Sequence, residues 1–305
     1  MRFERVRGDW RPLVQIGLIG LVCVIGFVVV YLVSVRTMGG RLFGDASLRG
    51  ALLARPAFAD GADSVLNVVS VASLLGAVAL VAMIALARLA RVEGLAAVGL
   101  LVGANVSAQV LKRHLLDRPD FGIQEVAPAT LNSLPSGHTT AVASAVAALL
   151  LVMPLRWRYP TALLGLLAAT VVALATLSAG WHRAGDSMAA FLLVGAWTAI
   201  AAAAVLLSGQ AQGPSGRPAR PPWIRWAAVL SAGLFVLGTL LMGALRSSAT
   251  ARDSDIGAST AFVAASLLIV ATGIGVMLGI LAVVAAMGRV EHPPPGDRAR
   301  PPDVA

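Results

Sequence analysis

The chain has 305 residues, 58% of them hydrophobic and only 13% charged, and a mean hydropathy of +0.83. An ordinary soluble domain carries about 25% charged residues, so a soluble enzyme or binding module is set aside and a membrane protein is expected. The net charge of +9 does not form a nucleic-acid-binding face, because the arginines are scattered over short segments between apolar runs, and no nucleic-acid partner is expected.

A helix needs roughly 20 apolar residues to cross a hydrocarbon core of about 30 Å. Runs of that kind predict helices over 13–35, 65–87, 93–111, 138–154, 160–180, 187–207, 226–245 and 259–287. The fold class expected is therefore all-α, a polytopic membrane bundle of about eight transmembrane helices. The first run follows Arg2, Arg5, Arg7 and Arg11; it is too long for a signal peptide and lacks a clean cleavage site, so it reads as an uncleaved first helix. Cys23 lies inside it and is the single cysteine, which excludes an intramolecular disulfide.

Basic residues cluster at the termini, at Arg88 and Arg91, at Arg156 and Arg158, and at Arg217, Arg220 and Arg225. They alternate with the spans so that both termini are expected on the cytoplasmic side of a bacterial inner membrane. Outer loops then fall at 36–63, 112–135 and 179–186. The expected organisation is a six-helix core over 1–207, a Gly/Pro/Arg-rich cytoplasmic linker over 208–225, a C-terminal helical hairpin over 226–288 and an unstructured tail over 289–305. For the hairpin two roles stand open, covering the bundle or pairing subunits in a homo-oligomer. Trp157, Trp181, Trp223 and Trp226 read as interfacial anchors, and His114 and His292 are given no role.

Nearly all the candidate chemistry falls in the last two outer loops. The third span ends in Lys112-Arg113-His114-Leu115-Leu116-Asp117-Arg118-Pro119, and Lys112 is the only lysine of the chain. Alone, such a cluster reads as a solvated anchor. The fourth span opens with Asn132-Ser133-Leu134-Pro135-Ser136-Gly137-His138, where backbone N–H groups of a helix start can hold an oxyanion. Ordinary capping explains Asn132, Ser133 and Pro135 but not a histidine entering a span. Before the sixth span stands Gly180-Trp181-His182-Arg183-Ala184-Gly185-Asp186, which puts His182 and Asp186 four residues apart, on one face of a helical turn. A carboxylate bonded to one imidazole nitrogen fixes the tautomer and leaves the other nitrogen to attack. Two histidines, a carboxylate, a lysine, an arginine and a Ser-Gly helix start on one membrane face form an inventory suited to phosphoryl transfer.

In this order, Lys112 with Arg118-Pro119, Pro135-Ser136-Gly137-His138, and His182 with Asp186 resemble the three motifs of the type 2 phosphatidic acid phosphatase (lipid phosphate phosphatase) superfamily, over about residues 13–207. The resemblance implies a metal-independent membrane hydrolase without a cofactor, acting on a lipid phosphate or (poly)prenyl diphosphate at the extracytoplasmic face. It implies that Lys112, Arg118, Ser136 and the Gly137 N–H bind phosphate oxygens. It further implies that His182, oriented by Asp186, becomes a phosphohistidine while His138 protonates the leaving oxygen.

Two positions depart from the pattern. Five residues separate Lys112 from Arg118 where six are usual, and Ala175 and Thr176 stand where the third motif begins Ser-Arg. Arg183 is the candidate to supply that missing charge. A catalytically weak lipid-phosphate binding or transport protein is the alternative reading. A metal site built from Asp117, Asp120 and Glu125 with the histidines lacks a recognisable ligand spacing.

Overall fold

Backbone amides inside a bilayer have no water to bond with, so a chain this apolar satisfies them within helices. The computed structural model describes residues 10–68, 71–123, 126, 132–209, 221–246 and 254–288. The helices are α1 (Arg11–Val35), α2 (Met38–Val68), α3 (Val71–Ala87), α4 (Arg91–Val110), α5 (Gly137–Val152), α6 (Leu155–Ser178), α7 (Ala184–Leu207), α8 (Trp223–Arg246) and α9 (Asp255–Met287), with a π-helical turn, Leu111–Leu115, closing α4. No strand occurs among the described residues. Six helices there are long and apolar enough to cross a membrane (α1, α4 with its π turn, α6, α7, α8, α9), and α3 and α5 are shorter apolar helices. The protein is thus an integral membrane helix bundle with the apolar helices where hydropathy puts them, except that the span expected over 65–87 is divided between the end of α2 and the 17-residue α3. Of the remaining expectations, the linker over 210–220, the tail over 289–305, Glu125 and His292 lie outside the described residues.

The outer loop expected over 36–63 is corrected to a helix, α2. Its apolar residues are interrupted by Arg41, Asp45 and Arg49, so no stretch of it is apolar enough to read as a span. Phe43, Ala46, Leu48 and Ala51 are nevertheless buried, and α2 packs chiefly on α6 and α9. Gly50 marks the close approach: a Cβ there would stand 2.1 Å from the Ala258 carbonyl oxygen.

Small residues also set the α1–α7 contact. Gly20, Cys23 and Gly26 of α1 face Ala199, Gly195 and Leu192 of α7, and a Cβ on Gly195 would come 2.6 Å from Cys23 Sγ. Such pairs let two backbones approach where lipid supplies no hydrophobic drive. Helix α9, the second helix of the expected C-terminal hairpin, lies along α7, α2 and α8 and also touches α1 and α6. At the C-terminal end of α5, Arg88 Nη1 donates to the Val152 carbonyl and Arg158 Nε to the Met153 carbonyl at 3.1 Å. Two cations thereby satisfy carbonyls that the helix leaves without partners.

Candidate active site

The opposite end of α5 is built by its own residues. Ser136 is the N-cap, in extended backbone conformation, and its Oγ accepts from Thr139 N at 3.4 Å and from Thr139 Oγ1 at 3.1 Å. Thr139 Oγ1 also lies 3.3 Å from Ser187 Oγ of α7. Ser136 is fully buried, and its backbone N–H donates to the Asp186 carbonyl at 2.9 Å, which ties the start of α5 to the first turn of α7. Thr140 N bonds the Ser136 carbonyl. The N–H groups of Gly137 and His138 are the remaining donors of this helix start.

His182 is delivered by the way α6 ends. Gly180 has φ +74, the left-handed conformation that glycine adopts without a Cβ penalty. Its N–H bonds the Leu177 carbonyl at 3.0 Å, while Trp181 N and His182 N both bond the Thr176 carbonyl, at 3.0 and 3.2 Å. This pair of bonds, five residues and three residues back, is the Schellman arrangement of a helix terminus. It turns the chain so that His182 leaves α6 directly over the start of α7. Thr176, where the third motif would place an arginine, is fully buried with its Oγ1 bonded to the Ala173 carbonyl at 2.8 Å.

Asp186, at the third position of α7, is 4% exposed. One oxygen, Oδ2, takes three donors: His182 Nδ1 at 3.2 Å, Ser133 Oγ at 2.5 Å and Arg183 N at 3.0 Å. With a carboxylate accepting at Nδ1, the imidazole carries its proton there and Nε2 holds a free lone pair. The His138 ring stands across from it, its centroid 6.5 Å from that of His182 and 5.6 Å from that of Trp181. Lys112 lies close enough to Asp186 and His138 for their charges to interact. The three segments singled out in the sequence therefore converge at one end of the bundle.

Around Lys112 the helix widens into the π turn, where Leu116 N bonds the Leu111 carbonyl. Such a turn holds one more residue than an α-turn and changes the direction in which the residues beyond it face. The five-residue gap before Arg118 thus does not continue an α-helix. Asn132 Nδ2 caps the turn, donating to the Leu116 carbonyl at 2.7 Å and the Lys112 carbonyl at 3.2 Å. Arg118 is half-buried in the extended segment beyond the turn, and His114 is exposed. Arg183 is 6% exposed, and its stem lies against α2, with Cδ 2.9 Å from where a Gly44 Cβ would be.

Several partners were missed by sequence reasoning. Ser133 and Asn132 were accounted for as helix-start residues, yet one bonds Asp186 and the other caps the lysine turn; their adjacency to the Pro-Ser-Gly-His element was the available signal. Tyr31 of α1, whose Oη donates to the Asp117 carbonyl, and Arg41 of α2, whose Nη1 donates to the Pro119 carbonyl, gave none, because they belong to elements far away in the chain. Among the described residues no three His, Cys, Asp or Glu side chains gather as metal ligands would.

Residues 93–210 match the PAP2 superfamily, whose members are generally phosphatases. No curated protein and no solved structure matches the chain.

Proposed function

From the PAP2 superfamily character of residues 93–210, we propose that this integral membrane protein is a metal-independent phosphatase. It hydrolyses a lipid phosphate or polyprenyl diphosphate at the extracytoplasmic face through a phosphohistidine on His182. The observation that carries the reading is the buried His182–Asp186 pair, 3.2 Å apart, facing the ring of His138.

In the first step Nε2 of His182 attacks phosphorus in line, the N–P bond forms and the bond to the lipid oxygen breaks. Asp186 stabilises the imidazolium charge that develops. His138 gives its proton to the leaving oxygen, then takes one from the water whose oxygen displaces His182 and releases phosphate. Lys112, Arg118 and the N–H groups of Gly137 and His138 receive the charge of the trigonal-bipyramidal phosphoryl group. Ser136 contributes by shaping the cap, since its hydroxyl is engaged with Thr139. Arg183 adds a guanidinium beside the nucleophile in place of the one missing at Thr176. Positive charge at Arg88, Arg156 and Arg158, at the other end of the bundle, supports a cytoplasmic position for that end and an outward-facing site.

The test is phosphate release from a panel of lipid phosphates with EDTA present, with acid-quenched and alkali-quenched protein assayed for histidine-bound phosphate. Wild type turns over and traps label, and His182→Ala does neither. Wild type that binds these lipids without releasing phosphate overturns the enzymatic reading in favour of a lipid-phosphate binding protein, the outcome that the threonine at 176 favours.

A further inference from the structure

Arg118 sits in a segment beyond the helical turn. Leu116 is extended, and Gly122 N donates to Asp120 Oδ1 at 2.8 Å within the segment. The segment is also held from outside. Tyr31 Oη of α1 donates to the Asp117 carbonyl at 2.8 Å. From α2, Arg41 Nη1 donates to the Pro119 carbonyl at 2.8 Å, and its guanidinium carbon stands 5.6 Å from the centre of the Phe121 ring. One turn further along α2, Asp45 Oδ1 accepts from Val126 N at 2.6 Å. Arg41 is only 4% exposed. Residues 41, 44 and 45 share a face of α2, and that face therefore grips the segment around Arg118 as well as the stem of Arg183 at Gly44.

A guanidinium buried this deeply needs its donors used, and here an N–H bond to the Pro119 carbonyl and the Phe121 ring face are used together. The carbonyl it holds belongs to the residue directly after Arg118, so fixing it fixes the direction in which the Arg118 side chain leaves the backbone. Resting on the phosphatase reading above, we propose that Arg41 is a positioning residue: it clamps Pro119 and Phe121 so that Arg118 meets the phosphoryl group, without touching that group itself. Helix α2 lies outside the segment that matches the PAP2 superfamily, which makes the clamp a feature of this chain's own N-terminal region.

The test compares wild type, Arg41→Ala, Arg118→Ala and the double variant for orthovanadate affinity and for KM and kcat on a lipid phosphate. Arg41→Ala weakens vanadate binding and raises KM about tenfold, the loss of one charge-assisted bond, with a smaller change in kcat. In the double variant the losses do not add: it binds vanadate no worse than Arg118→Ala alone. Amide exchange across 116–121 quickens in Arg41→Ala. Should that variant fail to fold, Phe121→Ala, which removes half of the clamp and leaves α2 intact, gives the same non-additivity with Arg118→Ala. Additive losses, or unchanged vanadate affinity in Arg41→Ala, overturn the proposal. Wild type that binds vanadate without turnover refutes the phosphatase reading alone, and the clamp is then judged on affinity. Wild type that neither binds nor turns over overturns both.

Discussion

Replacing Asp186 by asparagine keeps the size of the side chain and removes its charge. Three donors converge on Oδ2, from His182, Ser133 and Arg183, in a site only 4% exposed. Each such bond weakens by about 1 kcal/mol when its acceptor changes from charged to neutral, which gives a total of about 3 kcal/mol. The part borne by Ser133 and Arg183 reports on folding. The part borne by His182 appears in the transition state, where the imidazole becomes cationic, and there a wrong tautomer adds to it. The expected result is a fall in kcat of about a hundredfold or more with little change in KM. Single-turnover phosphate release measures it, with the Tm of both proteins as the folding control. Asp186→Asn with kcat within twofold of wild type at an unchanged Tm would refute the argument, since the carboxylate would then be a helix cap and nothing more.

The geometry dictates two further outcomes. Gly180→Ala forces a Cβ into the left-handed region at a cost of about 1 to 2 kcal/mol and shifts His182, so activity falls more than stability does, about tenfold to a hundredfold; equal modest losses would dissociate that turn from the nucleophile. Gly195→Ala sets a methyl 2.6 Å from Cys23 Sγ and lowers stability by about 1 to 3 kcal/mol. Combination with Cys23→Ala restores part of it, because the nearest remaining atoms are then Val276 Cγ1 at 3.2 Å and Cys23 Cβ at 3.6 Å; thermal unfolding in detergent decides, and a double variant no more stable than the single one would count against the contact.

Hydropathy made the apolar helices readable because each is continuous in sequence and needs no partner to be recognised. Helix α2 was unreadable for the opposite reason: Arg41, Asp45 and Arg49 break its apolar face, and Leu48 and Ala46 are inside because α2 packs on neighbours distant in the chain, chiefly α6 and α9. At the site, His138, His182 and Asp186 declared themselves as polar residues entering apolar spans. The π turn at Lys112 did not, since it depends on a hydrogen bond from Leu116 back to Leu111 that no residue preference signals. Likewise, Thr176 reads from sequence as a lost arginine, whereas in the fold its carbonyl is the anchor that aims His182.

The brevity of α5 has a consequence for where chemistry happens. Sixteen residues span about 24 Å against a hydrocarbon core of about 30 Å. If Arg88 and Arg158 hold one end at the headgroups, the other end, bearing Ser136 and His138, would be sunk about 6 Å below the opposite rim. On the phosphatase reading proposed above, the reacting phosphorus would then lie at the bottom of a shallow well. A substrate already tethered in the leaflet descends into it with its tail still in oil, while a water-borne phosphate ester must shed its hydration to enter; water itself becomes the scarce reagent that the second displacement has to admit.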